Sequence, residues 1–76
     1  MASNIDMVRD HLALADRHVA SGNLIVTRQR QLIAKLENGS HDTRQALSQL
    51  ARFEDLLAQH LAHRDKLLDE LHSVEV

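Results

Sequence analysis

The chain has no cysteine, no proline, no tryptophan and no tyrosine, and it carries only two glycines and one aromatic residue, Phe53. Without cysteine there is neither a disulfide framework nor a thiolate metal site, which is compatible with a reducing compartment. Strands favour aromatic and β-branched side chains and need turn residues between them, so one Phe and two Gly argue against an all-β or α/β fold. No apolar run approaches the ~20 residues that span a bilayer, and the stretch from Met1 to Asp6 lacks the charged and apolar regions of a secretory signal. No membrane association and a cytoplasmic location are therefore expected. A strong excess of one charge is missing too, since nine Lys and Arg face eleven Asp and Glu for a net charge of -2, with six His beside them. The densest basic pair, Arg28 and Arg30, shares its segment with Asp10, Asp16 and Glu37, so phosphate-driven binding of nucleic acid has little support.

What is present is aliphatic: 43% of the 76 residues are hydrophobic, almost all of them Leu, Ala, Val or Ile. This fits one small all-α domain spanning 1–76. In the first half, Ile5, Val8, Leu12, Ala15, Val19, Gly22, Val26, Gln29, Ile33 and Leu36 follow one another in alternating steps of three and four, the seam of a helix packed along its length. Ser3 or Asn4 can cap the start, and Asp6 lies in the first turn, where a negative charge is favoured. Asn38-Gly39 tolerates the left-handed conformation that ends helices, with Lys35 in the last turn. The spacing predicts a helix over about 4–37. It runs through Ser21-Gly22-Asn23, because the seam keeps its phase there, and a close backbone approach of Gly22 to the neighbourhood of Ala58 would explain the glycine.

A second helix, about 42–73, opens with Asp42-Thr43-Arg44-Gln45, in which Asp and Gln stand three apart as in a capping box. Its apolar residues form three adjacent rows: Leu50, Leu57 and Leu71; Ala46, Phe53, Leu67 and Val74; and Leu47, Leu61 and Leu68. The connection is short, so the helices, each ~50 Å long, must be antiparallel neighbours in a long hairpin. The stripe on the second helix is wider than one partner needs, and the first helix adds a row of Ile25 and Leu32 that continues through His18 and His11. A chain below ~80 residues rarely gains enough from one core. Two hairpins closing into a homodimeric four-helix bundle are therefore expected, with Ile5, Val8, Leu12, Val19, Ile25, Val26, Leu32, Ile33, Leu36, Leu47, Leu50, Phe53, Leu57, Leu61, Leu67, Leu68 and Leu71 as interface and core.

Six histidines are many for this length. His60 and His63 lie three apart on one helix, and the hairpin register brings His18 to their level. These three are the candidates for a transition-metal site, with Asp16 or Glu54 as helpers. No Glu-x-x-His or His-Glu-x-x-His pattern supports one, so no cofactor or native metal is expected, and most of the rings are read as edges of the apolar stripe. His60 falls inside that stripe, so association would weaken as pH drops through the titration range of His. Gln29 and Arg64 are polar seam positions. They either set register or, the favoured reading, lead long side chains out to solvent. No Cys nucleophile, phosphate-binding loop or Ser-His-acid constellation is present, and Ser40 and His41 lie in a connection without a cleft, so an enzyme is not expected.

The run Arg9-Asp-His-Leu-Ala-Leu-Ala-Asp-Arg-His-Val-Ala-Ser-Gly22, with Arg28-Gln-Arg30, Gly39-Ser-His-Asp-Thr43, Phe53-Glu54 and the stretch His60 to Leu71, resembles small helical-hairpin proteins of alphaproteobacteria without an assigned activity. The resemblance covers nearly the whole chain and implies a bacterial, cytoplasmic protein, but carries over no functional residue. The expected function is a non-enzymatic structural or protein-interaction module that pairs with itself and presents its surface to a further protein. The alternatives are a histidine-based metal-binding or pH-responsive module and a nucleic-acid-associated regulator. The last would need Arg17, Arg28, Arg30, Arg44 and Arg52 to gather on one face.

Overall fold

A computed structural model describes residues 4–75, the side chains of Val74 and Glu75 excepted; Ser3, one of the two expected caps, lies outside the described residues. The chain forms two helices, α1 (Asn4–Asn38) and α2 (Arg44–Glu75), packed antiparallel as a hairpin measuring 57 × 16 × 15 Å. α1 thus runs one residue further than its stop signal suggested, and α2 starts two residues later and ends two later than its pattern did.

α1 is unbroken through Ser21-Gly22-Asn23. A Cβ placed on Gly22 would lie 3.0 Å from Leu57 Cδ1 and 3.8 Å from Leu57 Cα. The glycine therefore marks the expected close approach, but opposite Leu57 rather than Ala58. The helical propensity lost at this position, about 1 kcal/mol relative to Ala, is the cost of letting a leucine fill the gap.

The turn differs from its expectation in one respect. Gly39 does not take the left-handed conformation; Ser40 does, with φ of 58°. His41 N–H donates to Leu36 O (2.8 Å) and Ser40 N–H donates to Glu37 O (3.0 Å), the paired bonds of a Schellman ending with Ser40 just past the cap. Because Asn38 remains helical, the left-handed position falls one residue after the glycine. Gly39 instead makes room for the His41 ring, whose Cδ2 would lie 2.7 Å from a Cβ there.

The start of α2 is also capped in a modified way. Leu47 N–H donates to Thr43 O (2.9 Å), which puts Thr43 at the cap position. Asp42 therefore stands one residue too early for a box with Gln45. Its Oδ1 accepts the Arg44 N–H (3.0 Å), and the Arg44 guanidinium folds back onto the same carboxylate, with Nη2 2.8 Å from Oδ2. Arg44, first by its side chain and then by its N–H, holds the Asp42 carboxyl below its ordinary value and is itself raised in return.

Between the helices, Ala15, Val19, Val26, Gln29 and Ile33 of α1 meet Ala46 and Leu67 of α2 as the buried residues. Ile5, Val8, Leu12, Leu36, Leu50, Phe53, Leu57, Leu61, Leu68 and Leu71 are half-buried beside them. Ile25, Leu32 and Leu47 stand outside this core, 43–47% exposed. Two helices touch along one line only, so a residue one step off that line keeps much of its surface in water.

Candidate functional site

The seam divides the hairpin surface into two flanks. On one, Arg30 Nη2 lies 3.5 Å from Glu54 Oε2 across the helices. On the other, Gln29 Nε2 donates to Ala46 O (2.9 Å) and to Gln49 Oε1 (3.3 Å), and an open depression is lined by Leu32, Leu36, Asp42, Gln45, Ala46 and Gln49. Residues seven apart on a helix share a face. The flank of Leu32 and Gln49 therefore also carries Ile25, His18 and His11 on α1 and Leu56 and His63 on α2. The flank of Glu54 carries Leu47, Leu61 and Leu68.

The first flank is divided along its length. Toward the turn it is apolar, with Ile25 43%, Leu32 44% and Leu56 48% exposed. Away from the turn it is lined by imidazoles, where the rings of His18 and His60 lie 5.1 Å apart at 44°. The structure thus brings two of the three metal candidates together across the helices, as the register implied. His63, one turn along α2 and exposed, is not part of that contact, and among the described residues no three His, Asp or Glu side chains converge to hold a metal ion. Asp16 and Glu54 belong to the opposite flank, where Glu54 is taken up by Arg30.

The two polar seam residues behave differently. Gln29 is 8% exposed and its Nε2 donates to α2, so it spans the seam instead of reaching solvent. Its long side chain does not lead out to solvent as expected, because the carbonyl of Ala46 lies close enough for the Gln29 amide to end inside the seam. Arg64 follows the expectation in part. Its Nη2 reaches Asp65 (3.7 Å), but its Nε is buried with no hydrogen-bond partner.

Sequence reasoning did not single out Leu56, Leu14, Leu24 or Met7, all 48–50% exposed. The signal for Leu56 was faint, because its row reads Gln49, Leu56, His63, Glu70 and looks like a solvated face. Only the contact of Gln49 with Gln29 shows that this row borders α1. Of the arginines required by a nucleic-acid reading, Arg30 and Arg44 are paired with Glu54 and Asp42. No helix among the described residues is long and apolar enough to cross a membrane. The findings establish a small two-helix hairpin with exposed hydrophobic side chains of the kind that form an interaction surface. No protein family matches the chain, and no curated protein or solved structure gives a significant match.

Proposed function

We propose that the chain is a non-enzymatic interaction module that pairs with a second copy of itself, closing two hairpins into a four-helix bundle. The observation that carries this reading is an imbalance of burial. Among the described residues no side chain is fully buried, while Ile25, Leu32 and Leu56 on one flank remain 43–48% exposed, and Met7, Leu14, Leu24 and Leu47 are exposed on other faces. A two-helix hairpin is half of a bundle, and burying the exposed half of each Leu or Ile would add about 1 kcal/mol per side chain. A second copy is the occupant favoured by size and charge. It brings a face of the same length and the same apolar residues, and a net charge of only -2 does little to oppose self-association. The flank bearing Ile25, Leu32 and Leu56 is the contact surface, and the outer faces of such a bundle are left for a further protein in a bacterial cytoplasm, as the resemblance of the sequence implies.

The test is absolute mass by light scattering over a hundredfold concentration range, for the native chain and for Ile25→Glu with Leu56→Glu. A native mass of twice 8.6 kDa that halves in the double variant while helicity persists supports the reading. A helical native monomer at every concentration refutes self-pairing and leaves the same flank to a different protein.

A further inference from the structure

The geometry points to a two-imidazole site for a borderline transition cation, Zn²⁺, Ni²⁺ or Cu²⁺, formed across the hairpin by His18 and His60. Imidazole suits these ions. Zinc binds a His nitrogen at about 2.0–2.1 Å, and the ring centre lies about 1.1 Å beyond that nitrogen, so two imidazoles on one tetrahedral ion have ring centres about 5.2 Å apart. The observed separation is 5.1 Å. The two rings come from different helices, and their centres stand at the separation that two imidazoles on one ion take.

Two further observations separate this pair from a ring contact of purely packing origin. His60 occupies the seam row of Phe53 and Leu67, where an apolar side chain would bury surface without placing a ring nitrogen there. Moreover, no hydrogen bond or ion pair engages either ring among the described residues, in contrast to Gln29, whose seam position is fully explained by its partners on α2. Neither ring is therefore committed to a protein partner. His18 is exposed and His60 half-buried, and the broad ring torsion of histidine lets a nitrogen of His18 turn toward the shared space.

With two protein ligands the ion keeps open coordination positions for water or another donor. The site is thus an exchangeable one, unlike the closed four-ligand zinc sites that hold a fold together. Both protein ligands come from one hairpin, at the end of the contact flank that lies away from the turn.

Titration calorimetry of ZnCl₂ into the metal-free full-length chain, paired with thermal melts with and without the ion, tests it. One ion per chain is expected, with a rise in melting temperature because the paired geometry exists only in the folded state. His18→Ala and His60→Ala should each weaken binding by at least about tenfold and abolish the thermal shift, whereas His63→Ala and His72→Ala should leave both within about twofold of native. His18 is exposed, so His18→Gln keeps the fold and serves as the second variant at that position, with helicity as the check. Unchanged binding in a folded His18 variant, loss of binding in His63→Ala, or no binding by the native chain at submillimolar zinc would each overturn the assignment.

Discussion

Beside the turn, Gln29 reaches across the seam to Ala46 and Gln49, and Arg30 reaches Glu54. Toward the other end, the His18 ring lies against that of His60, and Arg64 buries an Nε that finds no partner among the described residues. The aliphatic residues do not share this difference: Val26, Ile33 and Ala46 are buried near the turn, and Ala15, Val19 and Leu67 are buried in the far half. The turn half thus holds side-chain contacts across the seam that are directional, unlike apolar burial, which is nondirectional. The short connection sets the register, and Gln29, tied to a carbonyl of α2, holds the local alignment of the seam.

The comparison can be broken first at Leu67, the most buried large side chain of α2, at 5% exposure. Leu67→Ala should destabilise by about 3 kcal/mol, and hydrogen exchange should show the far half losing protection before residues 26–53. Uniform loss would mean that the halves are one cooperative unit. At their junction, Gly22→Phe should cost about 2 kcal/mol by pushing Leu57 out of the gap. Gly22→Ala should change stability by less than about 0.5 kcal/mol, because its propensity gain offsets a contact that a half-buried Leu57 can relax.

The same substitution in each half sharpens the contrast. Arg64→Leu should stabilise by about 1 kcal/mol in denaturant titrations by removing an unpaired buried donor. Gln29→Leu should instead loosen the local alignment of the seam, read as extra inter-helix cross-links, with Gln49 left without its partner. A smaller gain, about 0.5–1 kcal/mol in thermal melts, is expected for Ser40→Gly, since the left-handed conformation at φ of 58° disfavours a side chain.

The smallest effect belongs to Asp42. Its carboxyl is held below the ordinary value of 3.8, so its contribution is present above that value and fades as pH falls through its lower folded value. Asp42→Asn should remove the corresponding part of the acid transition below about pH 4 and leave stability at neutral pH little changed, because the carboxylate is fully exposed.

The hairpin was legible in the sequence because helical periodicity is local: steps of three and four from Ile5 to Leu36 define a face without knowledge of what covers it. Gly22 was legible for the same reason, to within one residue. The turn was less so, because Asn38, Gly39 and Ser40 all tolerate helix endings, and only the bonds of His41 and Ser40 decide which of them turns left-handed. The fate of Gln29 and Arg64 was legible only as two alternatives. It depends on whether a carbonyl of the opposite helix lies within reach, which no pattern along one chain encodes. The flank of Ile25, Leu32 and Leu56 fell between these cases, since its α1 row was visible and its α2 member was hidden in a polar row.

The rod shape has a hydrodynamic consequence. The radius of gyration is 17.2 Å, whereas a compact chain of this length would have about 11 Å. A single hairpin will therefore leave a sizing column early, as a much heavier globule would. Conversely, a second hairpin laid alongside at helix-packing distance thickens the rod without lengthening it, raising that radius by only about 1 Å. Small-angle scattering would then register pairing through a doubled forward intensity per chain while the apparent size hardly moved.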